Sequence, residues 1–471
     1  MAASLLSPTS LDALKVALAR ERPELVIESD RDVCAAYGGD ESDVRPEVPD
    51  LVVRARSQAD VVATLRVANE RRVFVTPRAA GTGKSGGCVP VLGGIVLSLE
   101  GMRAIEEIDA ADSVAVVSPG VVTGDLHAAV EALGLFYPPD PNSLASCTLG
   151  GNIAENAAGP RTYKYGVTRD WVLGLTVVTA EGNVLELGTR THKGVTGYDL
   201  VSLMVGSEGT LGVVTRATLR LAPKPEGIVT LVAMLSSSRM IATAVSALGA
   251  HGIAARCLEL FDERTLDLVR AEAPFRVPPE TRALLLVELD GDLTSLEPAM
   301  ERAGNVLTEV GADVIVAKGG SDRERLWAVR RQLSYALRKS ARAKISEDVV
   351  VPRHQLGALI DASARIGERH GLRSASYGHA GDGNLHVNFL WDDPADEPRV
   401  RDALDDLFGE VLAMRGTLSG EHGIGASKSA WVTREQAPGV VLLQQQIKQL
   451  FDPRGILNPG KIFSGTTHRS C

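Results

Sequence analysis

Short apolar runs, each ended by glycine or proline, dominate the first half of the chain. Residues 51–53, 73–76, 95–99, 114–117, 173–179, 184–187 and 213–221 read as strands. Helical spacing of apolar positions separates only some of them, over 58–70 and 122–133. Nearer the start, Ser10 is placed to cap a short helix with Leu11, Leu14 and Leu18 on one face. So irregular an alternation predicts an α+β chain with mixed sheets, not a repeating βαβ series. Pro223-Lys224-Pro225 marks a boundary. Beyond it the pattern predicts helices over 237–250, 293–310, 322–342 and 355–370, and strands over 284–289, 313–316 and 348–351. A hairpin-like segment covers 374–391, and the stretch 401–450 is mostly helical. This half reads as a helix-on-sheet domain.

Composition adds boundaries to that picture. The 471 residues suffice for two or three domains. A net charge of −9 repels phosphate backbones, so no nucleic-acid partner is expected. Cys34, Cys88, Cys147, Cys257 and Cys471 are scattered and odd in number, which suits free thiols in a reducing, cytoplasmic setting. The first ten residues carry no basic residue, so no signal peptide is expected. No uncharged apolar run reaches about 18 residues, so no transmembrane segment is expected, although attachment to the inner face of a membrane stays open. Glycine changes the picture most. The chain holds 47, concentrated over 81–94, 150–159, 206–212, 378–383 and 420–425.

The first of these spans imitates two nucleotide motifs. Gly81, Gly83 and Gly86 make a G-x-G-x-x-G, and Gly83-Lys84-Ser85 resembles the end of a P-loop. A P-loop needs glycine five residues before Gly83, where Arg78 stands. A dinucleotide fingerprint must open a helix, whereas Pro90, Gly93 and Gly94 lead toward a strand. The loop is left as strand, glycine turn, strand, with exposed N–H groups able to cradle a diphosphate or simply to turn. Two more segments follow: 140–159, mixing Gly, Asn and Thr, and 205–214, with Gly206, Glu208, Gly209 and Gly212.

Taken in this order, the three segments resemble the FAD-binding domain of the vanillyl-alcohol-oxidase or PCMH type. The carboxy-terminal half resembles the D-2-hydroxy-acid dehydrogenase branch. The resemblance implies a PCMH-type two-subdomain FAD-binding domain over 46–224, after an N-terminal helical segment over 1–45. A ferredoxin-like helix-on-sheet substrate domain would span 225–420, and a helical C-terminal segment, 421–471, would return to the FAD site. It implies FAD contacts from Pro77, Arg78, Gly81, Thr82, Gly83, Lys84, Ser85 and Gly86 in the first loop. Ser146, Thr148, Gly151, Asn152, Asn156 and Gly159 would serve in the second, Glu208, Gly209 and Val214 in the third, and Asn458 in the tail. The first loop has no His and Cys88 lies just past it, so FAD is expected to be non-covalent.

Chemistry concentrates at two further places. In 377–388, His379 and His386 flank a glycine turn, and period-two alternation puts His386 and Asn388 on one face of a strand. Glu421 and His422 sit on a glycine-flanked loop some forty residues on. Two imidazoles and a carboxylate suit a divalent metal with open positions, though a single histidine in a strand is commonly structural. The resemblance implies His379, His386 and Glu421 as metal ligands and His422 as the base, with Asn388 a polar contact. Zn²⁺ is favoured over Mn²⁺ or Fe²⁺. On the helix over 322–342, Arg330 and Ser334 are neighbours, and a guanidinium grips a carboxylate through paired hydrogen bonds. By spacing alone a solvated face is the favoured reading; the resemblance makes Arg330, Ser334 and, more loosely, Lys344 the substrate-binding set.

Together these imply oxidation of a D-2-hydroxy acid, D-lactate or glycolate favoured, to a 2-keto acid. Electrons would pass on to a quinone, a cytochrome, an electron-transfer flavoprotein or iron–sulfur subunits. A homodimer is possible within the family. D-2-hydroxyglutarate or D-malate as substrate, and an alkylglycerone-phosphate-synthase-like transferase, remain as alternatives.

Overall fold

In this computed structural model, residues 7–317 and 320–463 are described; Cys471 and the first six residues lie outside them. The chain divides into two compact units: residues 1–158 with 167–224 and 421–471, and residues 159–166 with 225–420.

The first unit opens with the helix Pro8–Glu21. Its cap is Ser7, whose side chain accepts the N–H of Ser10. Ser10 is therefore the donor inside the first turn, not the cap. Leu14 and Leu18 are buried and join a core with Leu51, Val53, Leu65, Ile95 and Leu97. Four strands form the first sheet, in the order Val26–Glu28, Leu51–Arg54, Ile95–Ser98, Val75–Arg78, with the last three parallel. Parallel neighbours need a crossover. The helix Gln58–Arg71 supplies one, started by a Ser57–Asp60 capping box and stopped at left-handed Arg72.

A second, antiparallel sheet runs Ile105–Asp109, Val114–Val117, Val213–Arg220, Val172–Val178, Val184–Gly188. After the helix Pro438–Phe451 the chain comes back to the first sheet. Leu457 bridges Val75, and the N–H of Asn458 bonds the Val75 carbonyl at 2.7 Å.

The second unit is built on a seven-stranded antiparallel sheet. Its order is Asp313–Val316, Gly227–Leu235, Ala283–Gly291, Cys257–Phe261, Arg373–His379, Asn384–Trp391, Ala343–Val350. Most of these strands are buried along nearly their whole length. Helices explain that: Gly320–Lys339 and Glu263–Val269 join the core cluster on one face, while Arg239–Ala250, Leu293–Glu309 and Leu356–His370 pack on the strands elsewhere. The helical tail expected over 401–450 is interrupted. Helices cover Glu397–Ala413 and Pro438–Phe451, and Gly420 to Gly425 lie in irregular chain.

Candidate functional site

The glycine loop after Val75–Arg78 leads into the strand Ile95–Ser98, with no helix between. It forms one wall of a cavity of about 370 Å³ in the first unit, within the range of small-molecule sites. Of the residues expected at FAD, Pro77, Arg78, Gly81, Thr82, Gly83, Lys84, Ser146, Thr148, Gly151, Asn152, Glu208, Gly209, Val214 and Asn458 line it. Ser85, Gly86, Asn156 and Gly159 do not. Gly86 instead lets the chain pass Val44, which a Cβ would meet at 2.6 Å. Glu421 and His422 line the same cavity.

The walls carry unmet bonding capacity. Thr148 Oγ1, Glu155 Oε2 and Asn458 Oδ1 are buried with no hydrogen-bond partner. Such atoms are costly unless something bonds them, and the polar edges of FAD would. Asn458 donates to the carbonyls of Gly87 at 2.9 Å and Glu208 at 2.7 Å, tying two walls together. Arg78 is a strut, donating to the Gly39 carbonyl at 2.6 Å and to Cys88 Sγ at 3.1 Å. Burial pushes the Cys88 thiol up to about 12, so it stays protonated and a poor nucleophile.

Two buried carboxyl groups face this cavity. Glu208 accepts the N–H groups of Ile424 at 2.8 Å and Gly425 at 2.7 Å, which suits a carboxylate. Burial, then the neighbouring Glu208 and Asp40, drive the Glu155 carboxyl well above its usual range. Burial raises the Glu208 carboxyl as well, but its two N–H donors oppose that, so of the pair the rise is greater at Glu155.

In the second unit, strand register gathers polar residues on one sheet face. Tyr377 and Asp348 flank His386, while His379 lies opposite both Asn384 and Glu259. The imidazoles of His379 and His386 are buried, with centroids 5.4 Å apart. Asp348 Oδ1 stands 3.9 Å from His386 Nδ1 and accepts Asn384 Nδ2 at 2.6 Å. The helix Gly320–Lys339 covers this face and delivers Arg330, which is buried rather than solvated, over the Tyr377 ring at 4.9 Å. Lys344 Nζ donates to Ser334 Oγ at 3.1 Å and Asn388 Oδ1 at 3.2 Å, so these three meet. Arg330 and Ser334 thus have separate partners. Arg330 and His379 both bond Glu259.

Glu259 and Asp348 are the residues the sequence reading missed. Period-two spacing of Lys344, Ser346 and Asp348 could have found the second; Glu259, inside Cys-Leu-Glu-Leu-Phe, left no such signal.

A glycine-lined cavity in one unit and a cation-bearing, histidine-bearing sheet face in the other fit a flavin-linked oxidoreductase. Comparison with known proteins agrees. Residues 49–188 match the FAD binding domain model, and 224–462 match the C-terminal domain of FAD linked oxidases. The chain is 38% identical over 433 residues to glycolate oxidase subunit GlcD of Bacillus subtilis, covering 91% of this chain and 92% of that protein. It is 35% identical over 425 residues to D-lactate dehydrogenase of Anaerostipes hadrus, covering 88% and 89%. The structure of 4-ethylphenol oxidase from Gulosibacter chungangensis shares the fold, with a TM-score of 0.80 at 20% identity over 98% of this chain and 99% of that one. The chain belongs to the FAD-linked oxidases of the PCMH type, in the D-2-hydroxy-acid dehydrogenase branch.

Proposed function

We propose that the protein oxidises a small D-2-hydroxy acid, D-lactate or glycolate by preference, to the corresponding 2-keto acid. The observation that carries this is the sheet face of the second unit, where Arg330 and Lys344 supply two cations beside the His379–His386 pair. Bound FAD supplies the hydride acceptor, and a divalent metal, Zn²⁺ first among Zn²⁺, Mn²⁺ and Fe²⁺, would polarise the substrate hydroxyl. The donor chemistry suits such a metal: two buried imidazoles, with Glu421 as the third ligand. Gly420, which precedes Glu421, donates its N–H to Asp348 at 2.8 Å, beside His386.

The chain's own groups divide the remaining work. Arg330 holds the substrate carboxylate through its terminal N–H groups, since its Nε–H is given to Glu259. Lys344 adds charge there, with Ser334 and Asn388 fixing its ammonium. An imidazole nitrogen of His422 takes the hydroxyl proton, imidazole being the side chain whose basicity suits a general base near neutral pH. The α-hydrogen leaves with its electron pair, and the carbinol carbon becomes a carbonyl.

Electrons then go to an external acceptor such as a quinone, a cytochrome, an electron-transfer flavoprotein or iron–sulfur subunits. No helix among the described residues is long and apolar enough to cross a membrane.

The second cation, Lys344, also favours an alternative, a dicarboxylate such as D-2-hydroxyglutarate or D-malate. Anaerobic titration with D-lactate, glycolate, D-malate and D-2-hydroxyglutarate, read as loss of flavin absorbance near about 450 nm, decides between them. His422→Ala should keep FAD and lose roughly 10²–10⁴-fold in the rate of flavin reduction; near-normal reduction removes it as the base. Flavin reduction untouched by exhaustive chelation removes the metal.

A further inference from the structure

Glu259 stands in the strand Cys257–Phe261, directly opposite His379 of Arg373–His379. Its carboxylate is wholly buried and its two oxygens have different partners. Oε1 bonds His379 Nδ1, and Oε2 accepts the Nε–H of Arg330, whose guanidinium lies over Tyr377. A carboxylate is an acceptor only. It therefore fixes the Nδ1–H tautomer of His379 and directs the Nε2 lone pair to the opposite side of the ring, which is the nitrogen a metal needs. Its other oxygen occupies one edge of the Arg330 fork, so the guanidinium presents only its terminal donors.

We propose that Glu259 is the positioning residue of this site, one carboxylate that sets both the ligating nitrogen of His379 and the plane of Arg330. This rests on the metal and carboxylate-clamp assignments above. Its consequence is that metal and substrate carboxylate keep a fixed separation, because both are referred to one rigid, strand-borne group.

Glu259→Gln separates the two roles. The amide oxygen still accepts from Arg330. The amide nitrogen is a donor facing His379 Nδ1, so the ring takes the other tautomer and places a proton on Nε2.

The test uses FAD-loaded protein stripped of metal. Zn²⁺ affinity is measured against a chromophoric chelator, and oxalate affinity is read from the flavin spectrum of the metal-free protein. For Glu259→Gln, Zn²⁺ should bind about 10–100-fold more weakly, with oxalate affinity and FAD content within about threefold of wild type. His379→Ala should lose Zn²⁺ at least as severely. Glu259→Asp, which keeps the charge but cannot span both partners, should weaken both ligands and serves if the Gln variant does not fold. A purely structural role would lower the melting temperature without splitting Zn²⁺ from oxalate.

Unchanged Zn²⁺ binding in Glu259→Gln, where wild type binds and His379→Ala does not, overturns the proposal. If wild type and His379→Ala bind Zn²⁺ equally weakly, the metal assignment itself fails. Oxalate binding that survives Arg330→Met removes the clamp.

Discussion

Gly425→Ala is the sharpest available probe of how the C-terminal segment closes the glycine-lined cavity proposed for FAD. Gly425 has a φ of +51°, and a Cβ there would lie 2.1 Å from the Ser85 carbonyl oxygen. That oxygen already accepts the N–H groups of Ala426 and Ser427, each at 3.0 Å. The Gly425 N–H itself is given to Glu208 at 2.7 Å. The left-handed conformation costs an alanine about 1–2 kcal/mol. Displacing Ser85 or the 425–427 turn forfeits two neutral hydrogen bonds at about 1 kcal/mol each and strains a charge-assisted one worth about 1.5–3 kcal/mol. With that last bond strained by no more than about 1 kcal/mol instead of broken, the sum is roughly 3–5 kcal/mol, well above a typical point change.

Gly455→Ala is the matching control. Its φ is +63° and nothing lies within 4 Å of the added methyl, so only the same backbone cost of about 1–2 kcal/mol applies. Thermal melting and titration of FAD into apoprotein separate the two. The Gly425 variant should melt well below the Gly455 variant and bind FAD at least about tenfold more weakly, a loss of about 1.4 kcal/mol. Equal melting and equal FAD affinity for the two alanine variants would refute the closure argument.

The glycine-dense spans were legible because cleared backbone is a local property. A run such as Gly81 to Gly94 has to turn and cannot be a helix, whatever it meets. The hairpin carrying His379 and His386 was legible for a similar reason, with its turn glycines and its alternation adjacent in sequence. What stayed hidden depends on partners far along the chain. Glu259 acquires its role only because its strand pairs with one that starts more than a hundred residues later. The strand Gly227–Leu235 went unseen because a sheet buried on both faces has a continuous apolar run with no period to read. Arg330 could not be told from a solvated arginine, since its burial follows from its helix packing on a sheet built of distant strands. At the start of the chain the signal was present and misread. Pro8 in the first turn points to a cap one residue earlier, at Ser7, rather than at Ser10.

Two further predictions concern buried carboxyl groups. Asp262 caps the helix Glu263–Val269 through the Thr265 N–H and also accepts from Ser376, yet burial raises its carboxyl to about 6. The folded state then holds a proton that the unfolded chain, with an Asp near about 3.9, has released. Stability should fall by about 3 kcal/mol as pH rises from about 4 through about 6. Urea denaturation across that window should show this decline in wild type and a flatter profile in Asp262→Asn, and parallel profiles would refute it. Glu155 lies against the first glycine loop, its Oε1 2.8 Å from where a Cβ on Gly87 would stand, in a cavity suited to an anionic diphosphate. A neutral carboxyl there can donate a hydrogen bond, whereas an ionised one repels. Because burial and Glu208 raise its pKa, the protonated form prevails at low pH, and FAD affinity should decline as pH rises and the carboxyl ionises. Glu155→Gln keeps the donor and removes the charge, so its FAD dissociation constant should stay level where that of wild type climbs. A wild-type constant that stays flat as pH rises, or a Gln variant that climbs alongside it, would show that Glu155 does not hold the proton that matters to the cofactor.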